Sequence, residues 1–149
     1  VTAAVGLLVR RMEPDDVLAI DVQALQAQWD DRLMTRETGL ALCEAGPCYT
    51  VLTPAGRIIA LGGFSETHAG YAVAWSLLSG DIGRHHIELT RMARFGLDDA
   101  PYARIEALVR PEHVAGLRWA AVLGFEQAFR VRCARPDGGD LELFERVRS

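Results

Sequence analysis

Four side chains near the middle of this chain could take a proton from a substrate: Glu66, His68, Glu88 and Glu106. A carboxylate serves as a general base when its pKa lies near the working pH, and burial raises it in that direction. Glu106 alternates with Arg104 and Leu108 in ARIEALV, the spacing of a strand, whereas Glu66 and His68 fall in a polar stretch that reads as a turn. The plainer reading of Glu106 is an ion pair with Arg104 or Arg110, and for each candidate taken singly such a structural role is the expectation. A second group suits an anion. In Ser79-Gly80-Asp81-Ile82-Gly83-Arg84 the two glycines let backbone N–H groups approach a phosphate, and Arg84 adds charge. Asp81 opposes that reading, because it would repel an anion. Its alternative role is N-cap of the helix that follows.

Other chemistry-bearing residues point to less. His85 and His86 are adjacent, so on a helix they face different directions, and no acid or histidine at i+4 completes a metal site. Arg84, Arg91 and Arg94 recur at helical spacing and read as a solvated face; Trp75 and Trp119 read as core. The three cysteines, Cys43, Cys48 and Cys133, form no C-x-x-C pair. That pattern predicts free thiols, two of them buried, in a reducing compartment. The net charge of −4 argues against a nucleic-acid surface. Half of the 149 residues are apolar, enough to bury a core, yet no apolar run reaches the length of a membrane helix. The N-terminal segment has its arginines after its apolar stretch, unlike a signal peptide. These features predict one soluble domain over residues 1–149, cytoplasmic in location.

The elements that must position these residues follow from periodicity and breakers. VGLLVRRM reads as a buried first strand, and Pro14-Asp15-Asp16 opens a helix reaching about Gln28 with a stripe of Val17, Ile20, Leu25 and Trp29. A second helical stretch, about 32–44, is weakened by Gly39. After Ala45-Gly46-Pro47 come strands 49–53 and 57–64 around a Pro54-Ala55-Gly56 turn, then a turn over 65–70 and a strand over 71–78. Val73, Trp75 and Leu77 fall on one side of that last strand, and Ala72, Ala74 and Ser76 on the other, where something must pack closely. A helix over 85–97, a strand over 103–109, a helix over 113–123 stopped by Gly124, and strands 125–133 and 141–147 complete the order. The expected class is α/β (α+β), a mixed, mostly antiparallel central sheet of about seven strands flanked by helices.

This order resembles the GNAT (N-acetyltransferase) superfamily. Three stretches carry the resemblance: LLVRRMEPDDVLAI, RIIALGGF with YAVAWSLLS, and VRPEHVAGLRWAAVLGFEQA with its Gly124-Phe125 exit. Together they cover nearly the whole chain. The wording of AWSLL and RWAAVLGFE also resembles GNAT-like proteins of bacteriophages and prophages, which would add a virion to the possible locations. The resemblance implies acetyl-CoA, or another acyl-CoA, as cofactor and an amine, small molecule or protein, as acceptor. It implies a pantetheine arm held along the edge of the fourth strand at Leu77, Leu78 and Ser79. It also implies a phosphate loop of Gly80, Ile82, Gly83 and Arg84, and His113 at the position where the family often has a cofactor-side asparagine. Glu66 and Glu106 are then the candidate bases. The chain departs from the family pattern where Ala120 replaces the tyrosine that protonates the leaving thiolate. Two readings follow: an acyl-CoA-dependent N-acyltransferase, or a catalytically inactive GNAT-like binding or structural protein. In this fold the last two strands often meet a partner, so a homodimer or a phage structural partner is also implied.

Overall fold

The computed structural model describes residues 6–21 and 34–148. Its strands are β1 (Leu8–Arg11), β2 (Cys48–Leu52), β3 (Ile58–His68), β4 (Tyr71–Leu78), β5 (Arg104–Val109), β6 (Glu126–Val131) and β7 (Leu141–Val147). Its helices are α1 (Asp16–Ala19), α2 (Arg36–Ala45), α3 (His86–Asp99) and α4 (Val114–Val122). The strands form one sheet in the order β1-β2-β3-β4-β5-β7-β6. Every neighbouring pair is antiparallel except β4–β5, which is parallel. This is the mixed α/β sheet that the periodicity predicts.

β3 runs four residues beyond its expected end. Ser65-Glu66-Thr67-His68 has the composition of a turn, but β4 supplies partners as far as Glu66↔Ala72 and His68↔Tyr71. A backbone offered a ladder stays extended, and polar side chains at the exposed end of a strand are tolerated. The turn therefore shrinks to Ala69-Gly70, where Gly70 has φ +87°.

The first helix is shorter than its apolar stripe predicts. α1 stops at Ala19, and Ile20 adopts an extended backbone (φ −92°, ψ 137°). The carbonyl of Asp21 then accepts the N–H of Gly80, which draws the chain to the loop after β4. Leu25, Trp29 and the rest of the expected continuation lie outside the described residues.

Gly39 does not interrupt α2, which is continuous from a Thr35 N-cap whose hydroxyl accepts the Thr38 N–H at 3.2 Å. A methyl group at Gly39 would overlap the Pro14 carbonyl oxygen. The glycine is there for close approach, not for flexibility. Asp16 ties the same region to the sheet. Its carboxylate accepts from both Arg10 Nη atoms (2.7 and 2.9 Å), from the Glu13 N–H (2.8 Å) and from the buried Thr50 hydroxyl (2.6 Å). Burial pushes the Asp16 pKa up, but these hydrogen bonds and the Arg10 charge outweigh it and hold the pKa below its ordinary value.

The two faces of β4 separate as expected. Trp75 and Leu77 join Met12, Val17, Cys48 and Leu61 under α1 and α2, while Ala72 joins Leu97, Ile105, Ala120 and Phe144 under α3 and α4. α4 ends in a Schellman turn. The Phe125 N–H reaches the Ala120 carbonyl and the Gly124 N–H the Ala121 carbonyl, with Gly124 at φ +91°. That reversal delivers the Phe125 ring into the core beside Ala120.

Candidate functional site

The single parallel pair of the sheet is where the site opens. β4 and β5 are in register only at Tyr71↔Arg104, Ala72↔Ile105 and Val73↔Glu106. Beyond Val73 the strands part: β4 keeps its ladder with β3 as far as Leu78, and β5 keeps its ladder with β7 as far as Val109. A cavity of about 870 Å³ begins there, with Ala74, Ser76 and Leu78 on one side and Ala107 and Val109 on the other. It extends between the sheet and α3, is closed laterally by His113, Trp119 and Ala120 of the α4 region, and reaches Tyr49 and Val51 of β2. The Trp119 indole N–H donates to Thr90 Oγ1 at 2.9 Å, and its ring lies 6.0 Å from that of His86, so α3 and α4 are tied together at the rim.

The loop expected to meet phosphate connects β4 to α3, between Leu78 and His86, which both line the cavity. Gly83 takes φ +43° in a 3-10 turn over Gly83–His85, and Gly83 and Arg84 are exposed. The first N–H groups of such a turn have no acceptor within the helix, which makes them anion donors. Other parts of the loop are already engaged: the Ser79 N–H donates to the Ile59 carbonyl and the Gly80 N–H to the Asp21 carbonyl, and Ile82 is buried against Leu78 and Leu89. Asp81 is not a helix cap. Its carboxylate accepts from Ser79 Oγ and forms an ion pair with Arg57, across 24 residues of chain. Arg57, followed by the Ser79 hydroxyl, holds the Asp81 pKa below its ordinary value. The negative charge that would oppose a phosphate is therefore already matched by a cation from the β2–β3 turn. Leu77 turns its side chain into the opposite face of the sheet, beneath α1 and α2, so only its backbone faces the strand edges.

The candidate bases separate. Glu88 Oε2 accepts the Leu7 N–H at 2.8 Å, a structural role. His68 is exposed; its Nδ1 lies 2.8 Å from the Ala69 carbonyl and its ring stands edge-on to Tyr71. Glu106 meets Arg104 at 2.6 Å and the Tyr71 hydroxyl, and Arg104 also reaches Glu145 at 3.4 Å. Burial acts to raise the Glu106 pKa, but hydrogen bonds from Tyr71 and Arg104 outweigh it and the pKa is lowered. A base with a raised pKa is therefore not what Glu106 provides; the ion pair with Arg104 is. Glu106 also alternates away from Ile105 and Ala107, so it lies on the other side of the sheet from the cavity.

Glu66 is different. The buried Tyr102 lines the cavity and donates its hydroxyl to Glu66 Oε1 at 2.5 Å, with its ring 5.1 Å from that of Phe64. Burial, followed by the hydrogen bond to Glu66 and then its charge, pushes the tyrosine pKa up. Tyr102 is the residue that sequence reasoning missed. Its only local signal is an aromatic side chain between Pro101 and an alternating strand, which reads as core. His113 stands where the sequence places it, at the start of α4 and on the cavity wall; Gly116 one turn later leaves room for its ring. Burial, then the charge of Arg110, lowers the His113 pKa and favours the neutral imidazole. Ala120 is buried and carries no functional group to the wall. The thiols of Cys43 and Cys48 are 3.7 Å apart and unbridged, with Cys48 pushed up to about 12 by burial and by Cys43, while Cys133 is exposed.

No protein-family profile matches the chain, and no curated protein matches it in sequence. Solved structures do. The chain superposes on a ribosomal-protein-S5-alanine acetyltransferase from Vibrio fischeri with a TM-score of 0.72 at 16% identity, covering 98% of this chain and 95% of that one. An acetyltransferase of the GNAT family from Streptococcus pneumoniae gives 0.68 at 14%, covering 96% and 99%. A GNAT superfamily phosphinothricin acetyltransferase from Sinorhizobium meliloti, solved in complex with acetyl-CoA, gives 0.69 at 14%, covering 95% and 88%. With the parting of β4 and β5, the loop into α3 and the Gly124-Phe125 exit all in place, this chain has the fold of the GNAT acetyltransferases.

Proposed function

We propose that this protein is an acyl-CoA-dependent N-acyltransferase acting on an amine. The observation that carries the reading is the end of the β4–β5 ladder at Val73↔Glu106, beside a cavity lined as far as Leu78 at the end of β4 and His86 at the start of α3, the two residues that flank the loop carrying Gly83. The residues present fit the cofactor. The N–H groups at the start of that turn, with Arg84, would take the pyrophosphate, and Arg57 removes the opposing charge of Asp81. The edge of β4 from Ala74 to Ser79 would lie along the pantetheine, with His113 across the cavity. Bound acyl-CoA would supply an activated thioester carbonyl. In the net reaction the amine nitrogen forms a C–N bond, the C–S bond breaks, one amine proton leaves and coenzyme A departs as the thiol. Glu66 takes the amine proton in this reading, and Tyr102 orients its carboxylate. Glu106 serves the site by pinning β4 to β5 below the gap, through Arg104 and Tyr71.

A second reading is favoured by one residue. Ala120 occupies the position where the family has a tyrosine acid, which suits a GNAT-like binding protein without catalysis. Calorimetry with coenzyme A and acetyl-CoA, followed by mass spectrometry of a panel of amines, separates the two. The transferase reading expects binding in the micromolar range and an acylated amine. Binding with no acylated product supports the second reading, and no binding at millimolar concentration removes both the cofactor and the reaction.

A further inference from the structure

The cavity is much larger than an acetyl group and continues away from the strand edges. The whole cavity, about 870 Å³, is in the range of pockets that enclose a drug-sized ligand, and it includes the gap assigned to the pantetheine as well as the part beneath α3. From the gap at Ala74 and Ser76 it passes beneath α3, over Gly62, to Tyr49 and Val51. Gly62 lies opposite Ser76 in the ladder, so the floor is low at that pair, and Phe64, opposite Ala74, bounds it on one side. α3 roofs this floor with Leu89 and Met92. At the far end Tyr49 is 40% exposed and Phe95, on the last turns of α3, is 72% exposed. Apolar surface left open in this way is stabilised by any apolar group that covers it.

The charges on the wall select the occupant. Among the described residues Asp99 is the only carboxylate on the lining, against Arg91 and Arg110 with His86 and His113 beside them. A protonated amine would find little compensation there, whereas an uncharged chain needs none. The chamber also opens directly from the stretch of β4 where the thioester would lie, so a chain on the thioester carbonyl can enter without leaving the pocket.

We infer that the chamber under α3 binds the acyl chain, and that the donor is a medium- or long-chain acyl-CoA rather than acetyl-CoA. This rests on the transferase reading and adds to it the class of acyl group. Each buried methylene is worth up to about four-fold in affinity. The test is calorimetric titration of the full chain with coenzyme A, acetyl-CoA, butyryl-CoA and octanoyl-CoA. Octanoyl-CoA, six methylenes longer than acetyl-CoA, is expected to bind at least about 30-fold tighter, with butyryl-CoA between them. In Ala93→Phe, which places a ring in the roof of the chamber, that ratio is expected to fall below about three-fold. If acetyl-CoA binds and octanoyl-CoA gains less than 30-fold in the unmodified protein, the chain-length inference is overturned while the transferase reading stands. If neither coenzyme A nor any thioester binds, the transferase reading fails and takes this inference with it. If octylamine binds while octanoyl-CoA shows no gain over acetyl-CoA, the chamber belongs to the acceptor and the inference is wrong.

Discussion

The face of the sheet under α1 and α2 is filled, and the face under α3 is not. On the first, Met12, Val17, Leu61, Trp75 and Leu77 interlock, Gly39 rests against the Pro14 backbone, and the one carboxylate among them, Asp16, has all its partners. On the second, Ala72 and Ile105 pack beneath α4, but the space over Gly62, Ala74 and Ser76 is open. The same strands make both faces, because alternate residues of β3 and β4 point opposite ways. Large side chains at 61, 75 and 77 close one face; small ones at 62, 74 and 76 leave room on the other. A protein interior is normally packed like a molecular crystal, so a volume of this size, which the described residues leave on the α3 face, is what a ligand site requires.

The contrast predicts opposite responses to added bulk. Gly39→Val should be the most damaging change, because backbone blocks it: a loss of about 3 kcal/mol and a melting temperature lower by roughly 10 °C in a calorimetric scan. A loss under 1 kcal/mol would show that α2 does not seat tightly on Pro14. Asp16→Asn comes next, at about 2 kcal/mol near neutral pH. The folded pKa of Asp16 lies below its unfolded value, so the stabilisation is fully present above about pH 4 and disappears as the pH falls through the folded pKa. Melting temperatures between pH 6 and pH 2 should therefore fall less steeply in the variant than in the parent; parallel curves would remove Asp16 from the account of acid stability.

On the open face the expected effects are on activity or are small. Tyr102→Phe should slow acyl transfer roughly ten-fold, while stability changes by only about 1 kcal/mol because Glu66 remains exposed to water. An unchanged rate would leave Tyr102 a packing residue. Ala74→Leu should change stability least, within about 1 kcal/mol of the parent, since the added methylenes enter empty space. A loss as large as that of Gly39→Val would mean that the two faces are equally full.

Much of the fold was legible before any coordinates. The bounds of β4 and β7 coincide with the alternating apolar runs 71–78 and 141–147, and the stop at Gly124 with its positive φ. The tail of β3 was not legible, because 65–68 has a turn-like composition and only pairing with Tyr71 and Ala72 keeps it extended. For the proposed site, the sequence offered the glycines and Arg84 of the loop, and Glu66 before β4, as candidates by residue type and position. That Asp81 would be neutralised by Arg57 could not be read from it, since the partners are 24 residues apart. Nor could the bond from Tyr102 to Glu66, which spans 36.

By itself the sequence determined what depends on near neighbours: which residues alternate, where a positive φ or a proline ends an element, and which face of each strand is apolar. The tertiary structure decided what depends on register between distant strands. It lowered the pKa of Glu106 with Arg104 and Tyr71, engaged the Gly80 N–H with Asp21, and left a cavity where α3 crosses small side chains. Periodicity is a property of one segment, whereas an ion pair or an empty volume exists only once two segments have been placed side by side.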